Sequence, residues 1–267
     1  MPLSLRALLI ALSCWLPMAS AAQQVRVGAY HFPPYVIKPE SEAPGGLLPE
    51  LLAALNGAQG DYRFSLVPTS VTRRYRDFIQ ARYDLILFES PAWGWQGIAQ
   101  DRLDLRIIDA EVYVARKQPG RDQSFFDSLR GKRMALYTGY HYAFAGFKAD
   151  QAFLVNKYQA SLTYSHDSNL LMLLHGRADM SVVTRSYLRL YQQEHPEESE
   201  QLLVSRRSDQ VYHHHALLRP GAALSTAQLA DLLQQLRDSG RLPALLARYH
   251  LQTTDESGDE QADPIPF

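Results

Sequence analysis

The amino-acid sequence predicts an α/β protein of two lobes, each a mostly parallel sheet flanked by helices. Three observations carry this. Short apolar or β-branched runs alternate with stretches that repeat leucine at helical spacing. The strand-like runs are nearly continuous in apolar character, as happens when helices cover both faces of a parallel sheet. The strand and helix order then begins again near residue 129, so the second half reads as a smaller copy of the first.

Val25-Arg-Val-Gly-Ala29 reads as the first strand. It runs into a loop in which Tyr30, Phe32 and Tyr35 surround Pro33 and Pro34, and then into a helix striped by Leu48, Leu51, Leu52 and Leu55. Open α/β sheets bind small molecules beyond the carboxyl ends of their strands, which makes Tyr30, Phe32 and Tyr35 candidate walls for a ligand; packing in a core is the alternative. Tyr62–Val67 alternates like a strand. Val71, Tyr75, Phe78 and Ile79 form a helix stripe, and Tyr83–Phe88 is a buried strand, which completes a βαβαβ unit. Ile107-Ile108 and Val112–Ala115 follow as extended pieces. The second cycle runs from Leu129–Tyr137 through a Thr138-Gly139 turn to Ser161–Tyr164. It continues with a helix through Leu170, Leu171 and Leu174 and the strand Asp179–Val183. Val211–Leu218 is a further strand. Ser225 with Gln228 forms a capping box for a helix striped by Leu229, Leu232, Leu233 and Leu236, and a last helix carries Leu242, Leu245, Leu246 and Tyr249.

Arg6, the apolar run Ala7–Leu16 and the small residues Ala19–Ala22 have the three regions of an export signal, so residues 1–22 are expected to be removed and the product to work in the periplasm. About 245 residues remain, enough for two cores. Cys14 is the single cysteine and lies inside the signal, which leaves the mature chain without disulfides, thiolate metal sites or a cysteine nucleophile; Leu12-Ser13-Cys14 is a weak lipid-anchor pattern. A net charge of −1 with no basic block argues against nucleic acid as a partner. Thr253–Pro264 is acidic and poor in apolar residues, and 252–267 is expected to be a disordered tail.

Four stretches and a closing pair of helices resemble the family 3 extracellular solute-binding proteins, the amino-acid-binding class that serves ABC importers. They are the first strand with Pro33-Pro34-Tyr35 and Gly46–Glu50; Ala81–Ile86 around Asp84; Leu129–Arg133 with Gly139; and Gly176-Arg-Ala-Asp179 before a strand. The helices are those around Asp238–Tyr249. The match covers roughly residues 25–251. It implies the type II periplasmic binding protein fold with a two-strand hinge: lobe 1 from 23–112 and 207–251, lobe 2 from 113–206, and a solute that draws the lobes together.

The resemblance also implies a clamp for α-amino acids, and here the sequence departs from it. The arginine that grips the carboxylate is expected near Trp93-Gly94-Trp95-Gln96, where Gln96 stands, and the aspartate for the amine is replaced by Thr184. Trp93 and Trp95 offer flat apolar surface, Arg74 is the candidate displaced cation with Arg185 as a second source, and Glu89 is a candidate acceptor. Thr138, Gly139, Tyr140 and His141 fall where the family's second-lobe turn holds an anionic group. His213 and His215 share a strand face, but two imidazoles need a third ligand, so no metal and no cofactor is expected; solvated histidines are the plainer reading.

The expected function is capture of a small polar or aromatic solute by a monomer, without catalysis, for delivery to an ABC permease or report to a membrane sensor. No nucleophile–base motif is present. Two other readings stay open: a cleft enzyme of the cyclohexadienyl dehydratase type using Glu89 or Glu111, and a chain that binds a protein, which predicts an open or filled cleft.

Overall fold

The computed structural model describes residues 21–254 and 261–267. Most of the expected export signal, including Cys14, and residues 255–260 of the tail lie outside them. Among the described residues, nine strands form one mixed sheet in the order β2-β1-β3-β8-β4-β7-β5-β6, with β9 against β4. In lobe 1, β1 (Gln23–Ala29) pairs in parallel with β2 (Tyr62–Pro68) and β3 (Leu85–Glu89). In lobe 2, β5 (Met134–Tyr137) pairs in parallel with β6 (Ala160–Thr163) and β7 (Met180–Thr184).

Two long antiparallel strands join the lobes. β4 (Asp101–Arg116) takes in both extended pieces read from the sequence, and β8 (Leu202–Leu218) starts nine residues before the strand expected at Val211. At the crossing, Glu111 pairs with Gln210 and Val112 with Ser208, so Asp209 is an extra residue in β8. A bulge of this kind turns a side chain out of the ladder. The Asp209 carboxylate accepts from Tyr113 Oη at 2.7 Å, Ala143 N at 2.7 Å and Phe144 N at 2.9 Å, which ties lobe 2 to the hinge.

The helices follow their apolar stripes. α1 (Leu47–Ala58) buries Leu47, Leu48, Leu51, Leu52 and Leu55. Its entry depends on Gly46 at φ 94°, where a Cβ would lie 2.7 Å from the Pro34 and Tyr35 carbonyl oxygens. α7 (Thr226–Asp238) carries the Ser225–Gln228 capping box, and with α8 (Arg241–Arg248) it packs on α1. α2 (Arg74–Ile79) turns Phe78 and Arg74 inward and leaves Ile79 65% exposed. α3 (Gln151–Tyr158) lies on β6. In α4 (His166–Leu174) the buried residues are Leu170 and Leu173 with His166 and Asn169; Leu171, assigned to the stripe from sequence, is exposed. α5 (Arg185–Glu194) and the short α6 (Pro196–Ser199) complete lobe 2.

The end of the chain corrects the expected disordered tail. β9 (Gln252–Thr253) pairs with Ile107 and Ile108 of β4. Beyond it, Ile265 is 1% exposed and donates its N–H to Tyr113 Oη, Pro266 O accepts from Leu129 N, and Asp263 pairs with Arg207 at 2.8 Å. Residues 263–267 therefore dock on lobe 2. Their polar composition hid one well-placed apolar side chain between two prolines.

Candidate functional site

β1 and β3 of lobe 1 and β5 of lobe 2 all deliver loops to the same space beside the hinge. There Tyr30, Phe32, Val71, Arg74 and Trp93 face Gly139, Tyr140 and His141, with Glu111 of β4 and Gln210 of β8 behind them. The free space is about 270 Å³ counted with its open mouth, but a water-sized body can move in only about 20 Å³ of it, room for about one water. Ring packing explains the small volume. Tyr30 stacks on Phe32 at 5.8 Å, and Trp93 and Tyr140 meet Phe32 edge-on at 5.9 and 5.6 Å. Gly139 makes the approach of the lobes possible: at φ 79° its absent Cβ would lie 2.9 Å from Val71 Cγ1.

The lobe-1 wall contains a buried ion pair. Arg74 Nε lies 3.2 Å from Glu89 Oε1, with the two residues 1% and 0% exposed. The Arg74 guanidinium also sits over the Tyr30 and Tyr75 rings and donates to Val71 O. Glu89 is turned inward by an irregularity at the end of β3. The register shifts between Ile86 and Glu89, and Phe88 takes φ 62°, a left-handed conformation that costs of order 1–3 kcal/mol. Trp95 Nε1 donates to Glu89 Oε2 at 2.7 Å. Burial raises the Glu89 pKa, and the Arg74 charge and the Trp95 hydrogen bond offset the rise in part.

Hydrogen bonds within lobe 1 and between the lobes cross beside the mouth. Tyr75 Oη donates to Trp93 O at 2.6 Å and lies 3.0 Å from His141 Nε2. His141 Nδ1 is 2.8 Å from Phe147 O; a carbonyl only accepts, so Nδ1 carries the proton. Burial lowers the His141 pKa to about 4, which leaves the ring neutral near pH 7. Gln210 links both lobes: its Oε1 accepts from Trp93 Nε1 at 3.1 Å and its Nε2 donates to His141 O at 2.6 Å.

On the hinge, Glu111 Oε1 accepts from Thr184 Oγ1 at 2.9 Å and Tyr212 Oη at 3.1 Å, while Oε2 has no partner. Burial drives its pKa well above the usual carboxylate value, and the Asp109 charge adds to the rise. Beneath it, His166 Nε2 lies 3.3 Å from Thr184 Oγ1, and burial brings the His166 pKa to about 3.

Of the residues singled out from sequence, Tyr30, Phe32, Arg74, Trp93, Gly139, Tyr140 and His141 line the cavity. Glu89 stands behind Arg74. Trp95 is 0% exposed and packs on Tyr75 and Phe78, because the Gly94 turn sends the two tryptophans to different sides. Tyr35 is held in the core by Asp109 at 2.6 Å, Thr138 is buried in the turn after β5, and Thr184 reaches Glu111 rather than the cavity. Gln96 is exposed and absent from the wall. Arg185 faces Asp109 at 3.9 Å. His213 and His215 are surface residues, with His213 3.8 Å from Asp104, whereas His214 is buried among Tyr35, Phe88 and Tyr212; among the described residues no group of three ligands could hold a metal. Sequence reasoning missed Val71 and Gln210, and it placed Glu111 only in the enzymatic alternative.

Among solved structures, a histidine kinase sensor domain described as similar to periplasmic binding proteins superposes with a TM-score of 0.66 at 20% identity, over 87% of this chain and 99% of that one. A substrate-binding protein of an ABC uptake transporter from Streptococcus pneumoniae, with bound histidine, gives 0.66 at 14% over 85% and 92%. An ancestral amino-acid-binding protein that preceded cyclohexadienyl dehydratase gives 0.63 at 16% over 85% and 94%. At these identities the likeness establishes the type II fold alone. No curated protein matches the chain. The family profile that matches, over residues 96–261, is the phosphonate one among periplasmic ABC substrate-binding proteins, where the sequence resemblance had pointed to the amino-acid class. That match spans more than half of the chain, which therefore belongs to the periplasmic substrate-binding proteins of ABC transporters.

Proposed function

We propose that this protein captures a small polar or aromatic solute between its lobes in the periplasm and hands it, as a monomer, to an ABC permease, without the usual α-amino-acid clamp and without catalysis. One observation carries the reading: the cavity wall is drawn from both lobes and both hinge strands, so a solute there contacts all of them in the closed form only, and that differential contact drives closure. The guanidinium in the wall already faces the Glu89 carboxylate, which supports a ligand that does not rely on it for a carboxylate. Thermal denaturation of the purified chain against a broad metabolite library tests this. A rise in Tm with one class of solute, together with a smaller radius of gyration in X-ray scattering, is the expected result; silence across the library overturns it.

A second reading, input to a membrane signalling partner, draws support from the sensor-domain likeness and from the tightly filled cleft. Pull-down of a permease by the solute-loaded chain favours delivery, and capture of a membrane kinase favours sensing.

A further inference from the structure

The charges around the cavity are paired, while some of its buried hydrogen-bonding atoms lack partners. Arg74 faces Glu89 at 3.2 Å. His141 Nδ1 donates to Phe147 O, its Nε2 lies 3.0 Å from a Tyr75 hydroxyl whose proton is shared with Trp93 O, and both ends of the Gln210 amide are bonded. Arg74 Nε has its ion pair with Glu89 but no hydrogen bond; Glu111 Oε2 and Tyr140 Oη have neither. Both residues line the cavity, both are more than nine-tenths buried, and each of these atoms lacks a partner.

The chemistry of Glu111 fixes what its free oxygen offers. Oε1 already accepts two hydroxyl hydrogens, so the carboxyl proton belongs on Oε2, where it is a donor. The charges of Asp109 and Asp209 both oppose its ionisation. Tyr140 Oη is a second donor, and burial holds its proton firmly. A charged solute would lose its hydration against a wall whose own charges are already matched, with nothing left to compensate it. A solute with acceptor atoms would satisfy two buried donors that otherwise go unpaired. The rings of Phe32, Trp93 and Tyr140 leave a narrow space between them.

We propose, resting on the reading that the lobes close on a solute, that the cavity takes a small, flat, uncharged molecule whose carbonyl or ring-nitrogen atoms accept hydrogen bonds from the Glu111 carboxyl and the Tyr140 hydroxyl. The assignment sets the ligand apart from free amino acids, phosphonates and organic cations alike.

Two measurements test it. Infrared difference spectroscopy of the native chain and Glu111→Gln at pH 7 reads the carboxyl directly: a protonated C=O band present in the native chain and lost in the variant is expected, and its absence from the native chain overturns the proposal. Calorimetric titration then compares nicotinamide and uracil with methylphosphonate, L-phenylalanine and benzylamine. Binding of at least one uncharged compound, weakened roughly tenfold by Tyr140→Phe, is expected. Tighter binding of any charged compound overturns this assignment while leaving solute capture standing, as does binding indifferent to Tyr140→Phe. Silence from all five also overturns it, and solute capture itself falls only if the metabolite library is silent too.

Discussion

On the lobe-1 side of the cavity, polarity is held as an ion pair: Arg74 and Glu89 are both buried, and Trp95 donates to the carboxylate. On the hinge and lobe-2 side no cation is paired with Glu111, whose pKa burial pushes upward, His141 and His166 are uncharged, and Tyr140 keeps a free hydroxyl. Burial is nearly complete on both sides, so depth alone does not set the charge state. The difference is the partner. Glu89 has a guanidinium within contact, and Glu111 has hydroxyls in front and carboxylates behind. One wall has its charge matched within itself; the other keeps Glu111 Oε2 and Tyr140 Oη without partners.

The comparison breaks most visibly at Glu89. Glu89→Gln keeps an acceptor for Trp95 and leaves Arg74 without its counter-charge. Urea denaturation should show a loss of about 3–5 kcal/mol, the cost of stranding a buried charge, and Arg74→Met in the same chain should restore most of it. A single variant that is no less stable would mean that the pair is not charged.

At the crossing of the hinge strands, Asp209 shows burial acting on a carboxylate that no cation faces. Burial lifts its pKa from 3.8 to about 6, so the folded protein keeps a proton that the unfolded chain gives up earlier. Its contribution is present in full below about pH 4 and is lost as pH rises through about 6, a change of at most about 3 kcal/mol. Denaturation from pH 4 to 7 should show that loss in the native chain and a flatter profile in Asp209→Asn. Equal slopes would remove Asp209 from the account.

The sequence made much of the frame legible, since it rests on local signals: the leucine stripe of α1, the capping box at Ser225 and the glycine turns are each read within about a dozen residues. The site is less legible because its logic is tertiary. Nothing near Arg74 announces that Glu89, fifteen positions on, turns inward through a left-handed Phe88. Trp93 and Trp95 look equivalent, yet the Gly94 turn puts one on the cavity wall and the other in the core. Gln210 reads as one more polar residue in a strand until both lobes are seen to hold it.

Smaller effects sharpen the contrast at the seam. Gly139→Ala forces a Cβ to within 2.9 Å of Val71 and should cost about 1–3 kcal/mol of closed form, read as a larger radius of gyration in X-ray scattering. An unchanged radius would show that the lobes do not meet there. Tyr75→Phe removes the hydroxyl between Trp93 O and His141 Nε2 and should cost about 1 kcal/mol by urea denaturation; no change would show that this bridge is idle.

The central claim, that a solute lodges between the lobes, is tested most directly by fluorine NMR of the chain carrying 5-fluorotryptophan, with resonances assigned through Trp93→Phe. Trp93 lines the cavity and Trp95 is sealed in the core two residues away. On adding the solute that raises Tm most, the Trp93 resonance should shift while Trp95 stays in place. A shift confined to Trp95, or a rise in Tm with neither resonance moving, would place the ligand elsewhere and contradict the account.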